Sequence, residues 1–389
     1  MRVILGLERF LAEPPASVRG RRVGLVVSAS SVDPDLVSTV ERLHAAADFT
    51  LAALFGPEHG LRGEAQAGEK VSTATDHVTG LPVYSLYGDT KKPTPEMLAG
   101  LDALVVDMQD GGVRFYTYLY TMAYVMRAAA EAGLPVIILD RPTPLGGLKI
   151  EGPVLDPAYA SFVGLYPIPI RYGMTIGEAA RLFNEAFGIG CDLTVIPMHG
   201  WQRAMWYDQT GLPFIPPSPN LPTLSALTLY PGTCLIEGTN LSEGRGTTKP
   251  FEYLGAPWIS DPERLARDLN GLGLPGVRFR PVYFTPTFSK HAGQSCRGVH
   301  VYVTDREIFQ PVTMILHLIR QVRLAYPDHF SWREPWEPGG HYPIDLLAGG
   351  DTVRRHLDAN RPIPELVESW RGGQAVFAEQ RRAALLYAG

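Results

Sequence analysis

The sequence predicts an α/β protein of two domains, the first organised around a parallel β-sheet. Three observations carry that reading. The chain has 389 residues, of which 45% are hydrophobic, enough to bury more than one core. Four short apolar runs occur before residue 143, each continuous in the manner of a strand covered on both faces. Helical stretches separate some of these runs, and strands alternating with helices make βαβ units with right-handed crossovers.

Taken in order, the first run is "RRVGLVVSAS" (21–30). The helical stretch "DLVSTVERLHAA" (35–46) leads to the second run, "FTLAALFGPEHG" (49–60). The third run is "LDALVVDMQD" (101–110), and the helix "YTYLYTMAYVMRAAAEAG" (116–133) leads to the fourth, "LPVIILDRP" (134–142). From about residue 150 prolines become frequent, and "EGPVLDP" and "YPIPIRYG" read as a crossing segment, which divides the chain into 1–150 and 151–389. In the second part Thr175 and Glu178 fit a capping box for a helix over 175–188, followed by a strand at 192–198. Residues 216–258 show little periodicity and read as a long functional loop, too polar and glycine-rich for a core. Ser260-Asp261-Pro262-Glu263 opens a further helix with a capping box. Strands at 277–286 and 297–305, a helix at 311–326 and a mostly helical C-terminal region complete the reading.

Composition excludes several functions. The net charge of -5 comes without any block of like charge, so neither nucleic acid nor a membrane surface is an expected partner. Cys191, Cys234 and Cys296 stand far apart with no CxxC pair, which argues against a zinc site and a disulfide framework. The start "MRVILGLERFLAEPP" turns acidic after a few apolar residues, so a cytoplasmic place is expected, or a secreted or periplasmic one if the true start lies upstream. "GLGLPG" (271–276) matches GxGxxG, but it follows a helix and precedes a strand, the reverse of the dinucleotide fingerprint. No P-loop, GxSxG elbow or HExxH occurs, and no cofactor is expected.

The polar residues that follow the apolar runs sit at the carboxyl ends of the strands, where open α/β sheets bind ligands. Glu58, His59, Asp107, Asp110, Asp140 and Arg141 therefore converge on one edge. Asp107 and Asp140 equally suit helix caps. The carboxylates lie in glycine-rich loops: Glu58 in "GPEHGLRGE", Asp107 and Asp110 in "DMQDGGVRFYTY", Glu237 and Glu243 in "IEGTNLSEGRGTT". Glycines let a backbone approach a ligand, and carboxylates against apolar surface can act as general acids. Tyr116, Tyr118, Trp201 and Trp258 offer flat faces for sugar rings, or else core packing. This inventory suggests hydrolysis of a polar small molecule or glycan. A metal-dependent hydrolase using Asp107, Asp110 and His59, and a non-catalytic amino-sugar binder, stand as alternatives.

Longer motifs are more specific. "LFGPEHGLRGEAQAGEKV", "LPVYSLYGDTKKPTPEML", "VVDMQDGGVRFYTYLYTM", "ILDRPTPLGG", "SFVGLYPIPIRYGMTIGE", "PPSPNLPT" and "YPGTCLIEGTNLSEGRGTTKPFEYLGAPW" together resemble the exo-β-N-acetylmuramidases named NamZ, formerly the domain of unknown function DUF1343. The resemblance implies a Rossmann-like N-terminal part, a smaller C-terminal α/β part contributing the loop 216–258, and an active site in the cleft between them. It implies release of N-acetylmuramic acid from the non-reducing end of peptidoglycan fragments, without a nucleotide cofactor. Glu58 carries over as the catalytic candidate, and Glu237, Asn240, Ser242, Glu243 and Arg245 as the loop of the second part. Asn220 in "PPSPNLPT" joins the substrate-binding candidates. The family usually reads Asn at Thr143, His at Tyr172, and often a Thr-Asn turn at "VSASS".

The mechanism expected is protonation of the leaving oxygen by Glu58, held partly desolvated and protonated near neutral pH, with Glu243 or Glu237 as the second carboxylate. The substrate's acetamido group is the alternative nucleophile. Arg62, Arg114 and Arg245 are candidate clamps for the lactyl carboxylate of muramic acid.

Overall fold

The computed structural model describes residues 2–63 and 74–388. Residues 64–71 of the "LFGPEHGLRGEAQAGEKV" motif lie outside them. The chain forms two compact units, one of residues 1–149, 172–219 and 379–389, the other of 150–171 and 220–378.

In chain order the strands are β1 (Arg22–Val27), β2 (Thr50–Gly56), β3 (Ala74–Thr75), β4 (Pro82–Ser85), β5 (Ala103–Asp107), β6 (Val136–Leu139), β7 (Glu151–Val154), β8 (Pro169–Arg171), β9 (Leu193–Ile196), β10 (Tyr253–Ala256), β11 (Val277–Phe284) and β12 (Cys296–Val303). The first unit holds a seven-stranded sheet of order β3-β4-β2-β1-β5-β6-β9. Every pairing in it is parallel except β3 with β4. The four apolar runs supply β1, β2, β5 and β6, and their side chains are almost wholly buried, as continuous runs in a two-sided sheet require. The chain leaves β1 toward β2 on one side and returns to β5 on the other, so the carboxyl ends of β1 and β5, where Val27 pairs with Asp107, mark the switch in strand order.

Three expectations are corrected here. The 150/151 division does not follow the compact units: β9 pairs with β6 inside the first sheet, and the last eleven residues also belong to that unit. A parallel sheet accepts a strand from any later point in the chain, so the change of texture at 150 marks an excursion. The helix expected over 35–46 contracts to Thr39–His44, because the Asp33 carboxylate accepts from the amides of Asp35 and Val37 and Leu36 takes φ 66°. The stretch 216–258 is also not one irregular polar loop. Leu224–Thr233 is a helix, Cys234–Gly238 a 3₁₀ turn and Tyr253–Ala256 strand β10, and Leu227, Leu229, Leu235 and Ile236 are fully buried.

The Thr175 capping box is present, with Thr175 Oγ1 accepting from Glu178 and Glu178 accepting from the Thr175 amide. The later helix Pro262–Gly271 is capped by Asp261, not Ser260, and "GLGLPG" is the loop between that helix and β11. In the second unit β10, β12 and β11 form an antiparallel sheet and β7 and β8 a separate pair. The helix Leu224–Thr233 meets the helix Pro311–Ala325 at Gly232, where a Cβ would lie 2.0 Å from the Pro311 carbonyl oxygen. The three cysteines are buried. Among the described residues no helix is long and apolar enough to cross a membrane.

Candidate active site

Glu58 follows β2 in a turn closed by the Gly60 amide on the Pro57 carbonyl at 3.0 Å. His59, the third residue of that turn, has φ 72°, a conformation for which Gly or Asn is usual and which costs about 1 kcal/mol or more for other side chains. Glu58 is only 9% exposed. Its Oε2 accepts from Thr117 Oγ1 at 2.7 Å, the Tyr87 hydroxyl bonds its carboxylate, and the Tyr118 hydroxyl donates to its carbonyl at 3.1 Å. Burial first, then the charge of Glu58, pushes the Tyr87 and Tyr118 hydroxyls upward. Arg62 pairs with Asp76 at 2.6 Å. Against burial, hydrogen bonds from Thr79 and Arg62 bring Asp76 down to about 2.

The other acids of this edge face protein partners. Asp107 is fully buried and takes Arg141 bidentately, Nε to Oδ1 at 2.5 Å and Nη2 to Oδ2 at 2.8 Å, with Thr39 Oγ1 on Oδ2 at 2.5 Å. This clamp ties the ends of β5 and β6 to the helix Thr39–His44. Asp140 accepts from the amides of Arg141 and Gly177 and from the hydroxyls of Thr175 and Tyr387. Burial pushes it up to about 7, against those bonds. Asp110 Oδ2 accepts from Tyr172 and from the Gly112 amide, its Oδ1 is buried without a hydrogen bond, and burial pushes the group up to about 6. Arg114 is fully enclosed and burial lowers it to about 10. Tyr116 donates to the Pro217 carbonyl at 2.6 Å and packs edge-on against Tyr118. Tyr116, Tyr118, Trp201 and Thr143 are core residues, so the first three do not offer open faces to sugars. Trp258, half-buried, stacks on His329.

In the second unit Glu243 is 2% exposed and lies between two cations. Arg245 Nε stands 3.4 Å from Oε1 and Lys290 Nζ 2.8 Å from Oε2. Arg245 also donates to Glu237 at 2.7 Å and lies over the Phe251 ring at 5.0 Å. Its guanidinium is pushed up by Glu237 and Glu243, against burial. The Asn240 amide serves the backbone, donating to His329 and accepting from Ser331. Buried Ser242 bridges Gly255 through its backbone and accepts the Gly244 amide at its hydroxyl. Asn220 is buried as well. Among the described residues no group of three or more His, Cys, Asp or Glu side chains is placed to hold a metal ion.

The residues that sequence reasoning missed are the partners: Thr117 and Tyr87 at Glu58, Thr39 at Asp107, Tyr387 at Asp140 and Lys290 at Glu243. Only Thr117 carried a signal, as the polar residue inside the aromatic run "FYTYLYT".

Two family profiles match the chain: exo-beta-N-acetylmuramidase NamZ, N-terminal, over residues 23–225, and the corresponding C-terminal profile over 228–387. The chain belongs to the NamZ family. It is 50% identical over 386 residues to the peptidoglycan beta-N-acetylmuramidase NamZ of Bacillus subtilis strain 168, covering 99% of this chain and 92% of that one. Two solved DUF1343 proteins of Bacteroides fragilis are also similar. One has TM-score 0.91 at 38% identity and the other 0.78 at 31%, and in each case 100% of this chain and 99% of that chain are covered. The NamZ family boundary at residues 225–228 falls inside the helix Leu224–Thr233, so it is a boundary of sequence and not of secondary structure.

Proposed function

We propose that the protein is an exo-β-N-acetylmuramidase, a glycoside hydrolase that releases N-acetylmuramic acid from the non-reducing end of peptidoglycan fragments. The observation that carries this reading is Glu58: a buried carboxylate on the ligand-binding edge of the sheet, held by hydroxyl groups, in a chain of the NamZ family. A hydroxyl can donate to a carboxylate or accept from a carboxylic acid, so Thr117 serves Glu58 in both states. Glu58 is then the acid that protonates the leaving oxygen.

Glu243, with Arg245 and Lys290 against it, suits the complementary task of stabilising oxocarbenium-like charge or assisting water. Of the three candidate clamps for the lactyl carboxylate, Arg62 is favoured. Its side chain, though paired with Asp76, is 48% exposed, whereas Arg114 is enclosed and Arg245, 16% exposed, is held between Glu237 and Glu243.

The test is to incubate the protein with a chromogenic β-N-acetylmuramide and the matching β-N-acetylglucosaminide. Release from the muramide alone, abolished in Glu58→Gln, supports the reading. Release from neither, with saturable binding of the sugar, would replace it with a binding protein. The anomer released, read by proton NMR, decides between retention and inversion.

A further inference from the structure

The loop that follows β11 carries two non-glycine residues in the left-handed region, Ser289 at φ 69° and His291 at φ 59°. Lys290 lies between them. Strain of about 1 kcal/mol or more at each persists only where the surroundings hold it. Here they do. Thr287 donates both its amide and its hydroxyl to the Gly246 carbonyl at 2.9 and 3.0 Å, and His291 Nε2 donates to the Asn240 carbonyl at 2.7 Å. Both anchors belong to the loop that carries Glu243. Gly246, at φ 77°, lets the two loops touch, since a Cβ there would lie 2.6 Å from the Phe288 nitrogen.

The result is a fixed place for the Lys290 ammonium. It donates to the carbonyls of Ile236 at 2.9 Å and Thr239 at 3.1 Å, and lies 2.8 Å from Glu243 Oε2. An ammonium has three protons. Two are on backbone carbonyls and the charge faces Glu243, so Lys290 has little left with which to bind a substrate. What it can do is hold Glu243. On the other side of the same carboxylate, Arg245 divides itself between Glu243 and Glu237.

We infer that Lys290 is a positioning residue for the hydrolysis: seated on the 234–239 carbonyls by a strained loop, it fixes the carboxylate of Glu243 in place. The inference rests on the reading that Glu243 takes part in the reaction. A lysine that only filled space, or only anchored its loop, would need neither the charge contact nor two left-handed neighbours.

The experiment is a double-mutant cycle in the full-length chain on the chromogenic β-N-acetylmuramide, with kcat, KM and thermal midpoint measured for wild type, Lys290→Met, Glu243→Gln and the double variant. A misplaced catalytic group costs up to ~100-fold. Lys290→Met is therefore expected to lose ~10–100-fold in kcat with KM changed less than about 3-fold, and the double variant to be no slower than Glu243→Gln alone. Lys290→Arg, which keeps the charge, should recover part of the loss. Additive losses would overturn the inference, because Lys290 would then act independently of Glu243. So would a kcat loss that merely follows the thermal midpoint, with Lys290→Arg as slow as Lys290→Met. Wild-type kcat in Glu243→Gln would sink the role of Glu243, and the inference with it, while leaving Glu58 standing.

Discussion

Glu58 and Glu243 are both buried carboxylates in glycine-rich loops, and the partners described at each differ. The hydroxyls of Thr117 and Tyr87 bond Glu58, and the cations of Arg245 and Lys290 stand in ion-pair contact with Glu243. A hydroxyl can turn its single proton toward or away from a carboxyl oxygen, whereas Lys and Arg only donate and bring a charge. On the proposed reading this difference is what assigns one residue type two roles, Glu58 as the acid and Glu243 as the charge-stabilising group.

The strongest way to break this comparison is through the leaving group. Glu58→Gln is expected to lose ~10³-fold or more in kcat on a muramide with a poor leaving group, and much less on one with a dinitrophenolate, which needs no proton. Glu243→Gln should lose activity on both alike. A Glu58 variant indifferent to the leaving group would exchange the two roles.

Stability against pH sharpens the contrast between hydroxyl-bonded and ion-paired carboxyls. Asp110, bonded by Tyr172 and backbone amides, is pushed up to about 6, so the folded chain binds its proton more tightly than the unfolded chain. That contribution is fully present below about pH 4 and is lost as pH rises through about 6. It amounts to about 3 kcal/mol between those limits. Denaturant melts of wild type and Asp110→Asn should diverge by that amount across the window, and parallel curves would refute the assignment.

A smaller effect concerns substrate choice. Arg62→Ala is expected to raise KM about 10-fold or more for the muramide and to leave the glucosaminide unaffected, as loss of a charged hydrogen bond to the lactyl group requires. Equal effects on both substrates would remove Arg62 from that role. The smallest change is Thr117→Val, which deletes one hydroxyl from Glu58 and should lower kcat about 5- to 10-fold with little change in thermal midpoint. A variant as fast as wild type would show that the hydroxyl shell of Glu58 is incidental.

The first sheet was legible because burial on both faces forces continuous apolar runs, and β1, β2, β5 and β6 fall within the four runs that the pattern selects. Glu58 stood out because neither Glu nor His has a reason to occupy such a turn. The role of β9 was not legible, since its apolar pattern says strand but not which sheet will pair with it. Asp107 and Asp140 illustrate the other failure. Position at a strand end brought them to the ligand edge, but Arg141 and Tyr387, distant in sequence, decide that both carboxylates face protein partners. Lys290 was invisible for a related reason, as its partners include backbone carbonyls, which carry no sequence signature.

The last residues of the chain carry one more consequence. Tyr387 and the Leu386 amide bond Asp140 and Glu178, so the polar core of the first unit is finished by residues 247 and 208 positions further along the chain. Until residues 386 and 387 are made, Asp140 and Glu178 lack these partners, so the unit completes its polar core only after the segments of the other unit have been synthesised. A truncation before Leu386 would therefore be felt at Asp140 and Glu178, inside a unit whose strands are all made before residue 197.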